Sequence, residues 1–427
     1  MNDDRIHAAQ QLVTQLAEGD FAAVEQSLED GIRQQLPADR QRTIWQGLLA
    51  QVGAFKEQVK LHTFQAPSNE FIIVTCAFER ANLDINFSFS NAGKVNSLTI
   101  TPVGGIEQQF TAHYELPPYA YAENFKEQQV QIGQSEWVLP GTLSLPTGDG
   151  PFPAVVLVHG SGPQDRDETI GPNKPFRDLA WGLATQGIAV LRYEKRTKAY
   201  SSEMKNLADA ITVKEEVIDD ALAAVALLRD NPKVNPRQIF VLGHSLGGYL
   251  LPRIGAMDPR IAGLIALAGS ARPFEDIVLE QYTYIFSLSG TLTAEQEQHL
   301  EQLKKQVARV KDPNLSLTTP ASELPLGVAP AYWLDLRGYQ PAEMARGLKQ
   351  PMLILQAESD YQVTMEDYSI WKSALATRGN VQFKSYPGLH HLFMLVEGGK
   401  ATPAVYAVLG HVAEEVVNDI ARWIKEQ

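Results

Sequence analysis

The sequence contains a single cysteine, Cys76, so it can form neither an internal disulfide nor a thiolate metal cluster. Cys76 ends the apolar run at residues 71–76, which predicts a buried strand and a core thiol. No stretch approaches the roughly 18 apolar residues that a membrane span needs. No block of Lys or Arg interrupts the formal charge of −13, and an acidic surface repels phosphate backbones and anionic lipids. Neither nucleic acid nor a membrane is expected as a partner.

Several cofactor motifs are absent as well. No G-x-G-x-x-G or P-loop sequence follows a predicted strand, and no H-E-x-x-H pair occurs. We therefore expect no cofactor and no metal. The start of the chain, residues 1–5, is acidic and lacks the basic region and apolar core of a signal peptide. As written, the chain is expected in the cytoplasm, whereas a leader removed before Met1 would place it in the periplasm or outside the cell.

The 427 residues, 44% apolar and 20% charged, suit a folded protein of more than one domain. Residues 1–110 predict a small α+β domain, with three helices in residues 6–51 and then four strands at residues 55–63, 71–78, 83–90 and 95–101. Residues 111–124, rich in proline and poor in periodicity, predict a linker. This first domain could supply contacts for a homo-oligomer.

Residues 125–427 change to short β-rich runs that alternate with helices, which indicates a mostly parallel sheet with helices on both faces. The continuous apolar run at residues 154–158 is typical of a doubly covered strand. Residues 271–348 are too long for one crossover and carry helical patterns with many aromatic side chains, so we predict an inserted cap. Within it, Tyr332 and Trp333 are predicted to line the substrate pocket.

A nucleophile is predicted at Ser245. It lies in Gly243-His244-Ser245-Leu246-Gly247, between a predicted strand at residues 239–242 and a helical pattern that begins immediately afterwards. This strand–turn–helix context is that of a nucleophile elbow, in which small flanking residues permit a sharp turn that presents the serine above the sheet.

A serine nucleophile needs a base and an orienting carboxylate. Asp360 follows the predicted strand at residues 352–355 and is the expected acid, with Glu358 as the competitor. His391 follows the strand at residues 381–385 and is the expected base, preferred over its neighbour His390. The order Ser, Asp, His is that of α/β-hydrolases rather than of chymotrypsin or subtilisin.

Backbone donors are also required for the oxyanion that forms during acyl transfer. The N–H of Leu246, directly after the nucleophile, is expected to be one donor. The second is expected from the loop at residues 159–163, which follows the first parallel strand, and we assign it to the N–H of Ser161.

These motifs together resemble bacterial α/β-hydrolase esterases of the group that includes serine aminopeptidase-like and dienelactone-hydrolase-like members. The carriers of the resemblance are residues 159–167, residues 243–248, residues 358–360 and His391. The resemblance covers residues 125–427 and implies an α/β-hydrolase fold, while residues 1–100 resemble a small domain of unknown function found ahead of such hydrolases. One departure is residues 192–197, where many relatives have Arg-Gly. The charged residues 165–167 are expected to form an ion-pair network that holds the oxyanion loop.

The function that these residues predict is hydrolysis of a small-molecule carboxylic ester, with short to medium acyl chains, through an acyl-enzyme. A serine peptidase or aminopeptidase, an acyl-CoA thioesterase and an acyltransferase use the same triad, so they remain open alternatives. A partner-binding protein on a degenerate hydrolase scaffold is the alternative outside enzymes.

Overall fold

The computed structural model describes residues 2–33, 35–66, 70–90, 92–106, 114–133, 137–207, 209–288 and 290–427. The chain divides into two compact units. The first comprises Met1–Glu115, Ile285–Leu292 and Tyr406–Leu409, and the second comprises Leu116–Tyr284, Thr293–Val405 and Gly410–Gln427. Part of the linker predicted at residues 111–124 lies outside the described residues, and the predicted domain boundaries stay predictions.

The first unit is a four-stranded antiparallel sheet with helices packed on one face. Its helices are α1 (Asn2–Glu18), α2 (Phe21–Ser27), α3 (Asp30–Arg33) and α4 (Ala38–Val52), one more than predicted. Its strands, paired in chain order, are β1 (Phe55–Gln65), β2 (Glu70–Phe78), β3 (Asn82–Phe89) and β4 (Val95–Pro102). Alternate residues of β2, Ile72, Val74 and Cys76, face the helices because side chains alternate along a strand. Cys76 is buried there as predicted, and burial raises the pKa of its thiol to about 12.

The second unit contains an eight-stranded sheet. Its strands are β5 (Phe125–Ile132), β6 (Leu139–Pro146), β7 (Phe152–Val158), β8 (Ala189–Tyr193), β9 (Val234–His244), β10 (Gly263–Leu267), β11 (Met352–Ala357) and β12 (Val381–Tyr386). They lie in the order β12-β11-β10-β9-β7-β8-β6-β5. The pairs from β12 to β8 are parallel, whereas β6 pairs antiparallel with both β8 and β5. The carboxyl ends of β7, β9, β11 and β12 therefore meet at one edge of the sheet.

Helices cover both faces of this sheet, as its sequence predicts. They are α5 (Pro175–Thr185), α6 (Arg196–Ala199), α7 (Ser201–Asn206), α8 (Asp219–Arg229), α9 (Leu246–Met257), α14 (Met365–Ala374) and α15 (Glu414–Lys425), with a π-helical turn at Lys214–Ile218 ahead of α8. In β7, the side chain of Val156 packs in a hydrophobic cluster with side chains of α8 and α9. The side chain of its neighbour Leu157 is equally buried and points to the opposite face of the sheet. On that opposite side Phe240 of β9 packs against Trp423 of α15, with ring centroids 5.7 Å apart. Burial on both faces explains the continuous apolar run of β7.

The insertion between β10 and β11 forms the predicted helical cap. Its helices are α10 (Phe274–Ser287), α11 (Ala294–Lys311), α12 (Pro330–Leu336) and α13 (Pro341–Arg346). α11 begins with a capping box in which the Thr293 side chain accepts from the Gln296 N–H at 3.2 Å and the Gln296 side chain accepts from the Thr293 N–H.

The helix predicted at residues 403–425 is shorter in the structure. A 3₁₀ turn covers Pro403–Ala407, and α15 begins only at Glu414. Between them the N–H of Val412 donates to Asp178 Oδ2 at 2.9 Å, so a tertiary hydrogen bond replaces the helical one. Within the part of the chain that the structure describes, no helix is long and apolar enough to cross a bilayer.

Candidate active site

The turn between β9 and α9 holds Ser245 in a left-handed conformation. β9 ends at His244, Ser245 has φ 52° and ψ −114°, and α9 begins at Leu246. The N–H of Ser245 donates to Leu267 O at 3.0 Å, which ties the turn to the end of β10. A positive φ at a non-glycine residue costs about 1–3 kcal/mol and persists only where the surroundings impose it. The predicted elbow is therefore a strained, well-held turn that carries Ser245.

The glycines on either side make this turn sterically possible. A Cβ atom on Gly243 would lie 2.3 Å from the carbonyl carbon and oxygen of Gly247. A Cβ atom on Gly247 would lie 2.3 Å from the carbonyl oxygen of Val158, at the end of β7. Both distances are shorter than any real Cβ contact, so side chains at these two positions are excluded by main-chain atoms that cannot move independently.

Asp360 is turned into the protein beyond the end of β11. Its Oδ1 accepts hydrogen bonds from the N–H groups of Gln362 and Val363, at 2.7 and 3.2 Å. Its Oδ2 lies 2.6 Å from Nδ1 of His391, and its side chain has no exposed surface. The carboxylate is thus held from one side by backbone donors and presents its other oxygen to the imidazole, the arrangement that fixes the tautomer of a general base.

The competing acid, Glu358, has a different environment. Its side chain is exposed, and its Oε1 accepts a hydrogen bond from the Ser385 hydroxyl at 2.7 Å. The loop beyond β11 therefore brings Asp360, and not Glu358, to His391.

The two histidines beyond β12 also differ. The Nδ1 of His390 accepts a hydrogen bond from the N–H of Leu392 at 3.3 Å, and its backbone bonds Met394 and Phe393 within the same loop. Burial lowers the pKa of His390 to about 4, and the adjacent His391 acts in the same direction. His390 thus forms hydrogen bonds within its own loop, and His391 is the histidine that contacts Asp360.

The loop that follows β7 lies against the nucleophile. A Cβ atom on Gly160 would lie 3.2 Å from the Cβ of Ser245. The N–H of Gly160 donates to Glu168 Oε1 at 2.6 Å, so it is not available to a substrate. The next N–H of this loop is that of Ser161, an exposed residue, which is the donor that the sequence analysis assigns. Leu246 is the first residue of α9, where N–H groups have no partner within the helix.

A buried pair that the sequence analysis did not identify lies beside this loop. Nδ1 of His244 is 2.8 Å from Oε2 of Glu168, and their side chains are 4% and 1% exposed. Nε2 of His244 lies 3.0 Å from the backbone oxygen of His391. Glu168 and His244 therefore join three segments, the loop after β7, the elbow and the loop that carries His391.

The protonation states of His244 and Glu168 follow from the groups that they contact. A carbonyl oxygen and a carboxylate only accept hydrogen bonds, so both nitrogens of His244 face acceptors, which favours the doubly protonated ring. Burial is the largest single influence and lowers the pKa of His244, but the charge and hydrogen-bonding effect of Glu168, the His391 carbonyl and the charge of Asp360 together outweigh it and raise the pKa above its ordinary value. Burial is the largest single influence and raises the pKa of Glu168, but His244, His159 and the Gly160 N–H together hold it below its ordinary value. We infer an ion pair of carboxylate and imidazolium.

A second buried pair, Lys195 and Glu216, also escaped the sequence analysis. Lys195 follows β8, and its Nζ donates to Glu216 Oε1 at 2.6 Å and to the carbonyl of Gly160 at 2.9 Å. Its side chain is 2% exposed. In the sequence, Glu168 and Lys195 look like ordinary loop charges. The signal that could have found Lys195 is its place within residues 192–197, where the chain departs from the resemblance.

Of the charged residues 165–167, Arg166 and Asp167 form ion pairs as the sequence predicts, whereas Asp165 binds backbone N–H groups instead. The side chain of Arg166 donates to Glu194 at 2.8 Å. Asp167 pairs with Arg192, whose side chain is 1% exposed. Asp165 Oδ1 accepts the N–H groups of Asp167 and Thr169, at 3.0 and 2.9 Å, and so closes the loop on itself.

Both aromatic residues predicted for the pocket lie on α12 of the cap. Trp333 is fully buried and packs with Val310, Leu315 and Leu324. Tyr332 is 7% exposed, and burial together with the nearby carboxylate of Glu216 raises the pKa of its hydroxyl. Their role in a substrate pocket stays a prediction, and the structure assigns Trp333 to the core of the cap.

Comparisons with known proteins identify the families to which the two parts of the chain are similar. Residues 151–397 match the family described as serine aminopeptidase, S33, and residues 9–98 match a family described as a protein of unknown function, DUF3887. Esterase EstD of Thermotoga maritima is 37% identical over 413 residues, which are 96% of this chain and 93% of that protein.

Solved structures with similar folds include two esterases. Est1E from Butyrivibrio proteoclasticus has a TM-score of 0.45 and 16% identity, covering 70% of this chain and 99% of its own. The Pyrococcus furiosus esterase Pf2001 has a TM-score of 0.44 and 17% identity, covering 74% of this chain and 99% of its own.

Proposed function

The chain belongs to the serine aminopeptidase S33 family of hydrolases, and on that basis we propose that it hydrolyses carboxylic esters of short to medium acyl length. The observation that carries the proposal is the 2.6 Å contact of Asp360 with His391, at the same sheet edge as the strained turn of Ser245. A relative named as an esterase, similar over almost the whole of both chains, supports an ester rather than an amide as the substrate.

The proposed reaction proceeds through an acyl-enzyme. Ser245 Oγ attacks the ester carbonyl while His391 accepts its proton, and Asp360 stabilises the imidazolium that results. The N–H groups of Ser161 and Leu246 bind the developing oxyanion. His391 then protonates the departing alcohol, after which water attacks the acyl-enzyme and the proton transfers run in reverse.

Other parts of the proposal come from the sequence. Tyr332 and Trp333 shape the acyl side of the pocket through the position of α12, and the triad requires no cofactor. Residues 1–110 supply contacts for a homo-oligomer, and the protein acts on a small-molecule ester.

The test is hydrolysis of p-nitrophenyl esters with increasing acyl length by the purified protein and by Ser245→Ala. The matched control is Ser369→Ala, an exposed serine on α14 whose hydroxyl donates to the Met365 carbonyl of its own helix. We expect short esters to be the preferred substrates. We expect Ser245→Ala to lose at least about 10⁴-fold in kcat and the control to change less than about twofold.

An aminoacyl anilide panel and an acyl-CoA, measured beside the esters, separate the alternatives. Cleavage of anilides alone would replace the esterase proposal by the peptidase one, and faster turnover of acyl-CoA would favour a thioesterase. Ester turnover that survives Ser245→Ala would overturn the assignment of the nucleophile.

A further inference from the structure

Gly160 is held at both of its main-chain polar groups by buried charged side chains. Its N–H donates to Glu168 Oε1 at 2.6 Å, and its carbonyl accepts from Lys195 Nζ at 2.9 Å. Gly160 has no side chain of its own, and it lies against the Cβ of Ser245. The main chain beside the nucleophile is therefore positioned by two charges, one from farther along the same loop and one from the segment that follows β8.

The bond to the carbonyl has a consequence for the next residue. The carbonyl of Gly160 and the N–H of Ser161 belong to the same peptide group, which is planar and trans. In a trans peptide the C=O and N–H point in opposite directions. A hydrogen bond that fixes the carbonyl of Gly160 on one side therefore fixes the direction of the Ser161 N–H on the other.

Lys195 is well suited to hold that direction. Its backbone N–H donates to Gln164 O at 3.0 Å, so both its main chain and its side chain bind the segment after β7. Its ammonium is paired with Glu216, which lies in the π-helical turn at Lys214–Ile218. Such turns occur frequently at functional sites.

We propose that Lys195 is a positioning residue for the oxyanion hole, holding the Ser161 N–H toward the developing oxyanion while Glu216 holds the ammonium in place. This inference rests on the proposed function. A buried ion pair contributes little net stability compared with apolar side chains of similar size. The presence of the Lys195–Glu216 pair beside the nucleophile therefore needs an explanation other than stability. Fixing a dipole before the reaction is such a reason, because a preorganised donor needs no rearrangement when charge develops.

The signature of this role is a loss in kcat with little change in KM. The oxyanion carries its charge in the transition state and not in the bound ester, so a misdirected donor weakens transition-state binding selectively. A general loss of packing would instead reduce the fraction of active protein or change both constants.

The decisive variant is the double substitution Lys195→Met with Glu216→Gln, which removes both charges without leaving either one unpaired. The matched control is Arg196→Met with Asp220→Asn. That pair is the next one along the chain and is also buried. It joins the segment after β8 to α8 through a 3.1 Å bond from Arg196 Nε to Asp220. Kinetics with a short p-nitrophenyl ester are normalised to active sites titrated with a fluorophosphonate.

We expect the double variant to lose about 10²-fold in kcat, with KM changed less than about threefold, because removing one oxyanion donor has an effect of that order. We expect the control pair to retain kcat within about threefold at a similar change in Tm. A kcat of the double variant equal to that of the control, or a change in KM alone, overturns the inference.

Lys195→Gln provides a second measurement, which remains informative if the double variant does not fold. The amide keeps an N–H donor for the carbonyl of Gly160, so kcat should fall less than with Lys195→Met, and unchanged kcat in both single variants contradicts the role. A wild-type protein without esterase activity would refute the proposed function itself, whereas an active wild type with unaffected Lys195 variants refutes only this inference.

Discussion

Glu168 and His244 form a buried pair 2.8 Å apart that connects the oxyanion loop with the nucleophile elbow. The other oxygen of Glu168 accepts the N–H of Gly160, and the other nitrogen of His244 faces the carbonyl of His391. One pair of side chains therefore contacts three of the four segments that carry catalytic groups, and the loop of Asp360 is the fourth. Its charges stabilise the geometry of the site as well as the fold.

Glu168→Gln should be strongly destabilising. The amide can still accept the N–H of Gly160, but the imidazolium of His244 loses its counter-charge in a buried position. Breaking a buried ion pair from one side costs about 3–5 kcal/mol, so we expect a lower free energy of unfolding by about that amount in urea titrations. The matched control is Glu194→Gln, whose partly exposed partner is Arg166 and which should cost less than about 1 kcal/mol. Equal losses in the two variants would show that the pair with His244 has no special role.

Asp360→Asn should separate the two candidate acids. The amide preserves the size of the side chain but removes the acceptor that holds the Nδ1 proton of His391, so we expect kcat/KM to fall by about 10⁴-fold. Glu358→Gln alters the exposed acid that bonds Ser385, and it should change kcat/KM less than about threefold. A larger effect of Glu358→Gln in the same ester assay would reverse the assignment.

Gly247→Ala should disrupt the elbow. The added methyl would lie 2.3 Å from the carbonyl oxygen of Val158, which is main chain and cannot rotate away. We expect a loss of at least about 3 kcal/mol in unfolding free energy, or no folded protein, and loss of esterase activity. The control is Gly379→Ala, in the same unit, where a Cβ meets nothing within 4 Å. A normal Tm and full activity of Gly247→Ala would rule out the close approach of the elbow to β7.

Stability should decline as the pH falls below about 6.5. Burial lowers the pKa values of His159 and His390 to about 4, from 6.5 in the unfolded chain. Between these values the unfolded state binds more protons than the folded state, so the free energy of unfolding decreases with decreasing pH. Each histidine contributes a slope of up to about 1.4 kcal/mol per pH unit. His244 has the opposite sign, because its raised pKa gives stability that is complete below 6.5 and is lost only at higher pH.

Urea titrations at intervals between pH 7.5 and 4.5 measure this slope. His390→Asn removes one titrating group and should reduce the slope by up to about 1.4 kcal/mol per unit within that window. A free energy of unfolding that is constant from pH 6.5 to 5 would contradict the buried neutral state of both rings.

The sequence by itself determined the secondary structure of the sheet and the positions of its functional turns. Apolar runs such as residues 154–158 identify doubly buried strands, since both of their faces need apolar side chains. Small residues around Ser245 identify the elbow, since only glycine allows main chains to approach so closely. Once the strands are placed, the acid and the base must follow the carboxyl ends of β11 and β12. These are local sequence patterns, and they can be interpreted without knowledge of the tertiary structure.

Only the tertiary structure decided which of several nearby groups meet. Glu358 is closer than Asp360 to the end of β11, yet the path of the loop turns Asp360 alone to His391. Glu168 reaches His244, and Lys195 reaches Gly160, across 76 and 35 residues of sequence because the parallel sheet brings their segments to one edge. Hydrogen bonds and ion pairs act over about 3 Å, and separation along the chain gives no measure of that distance.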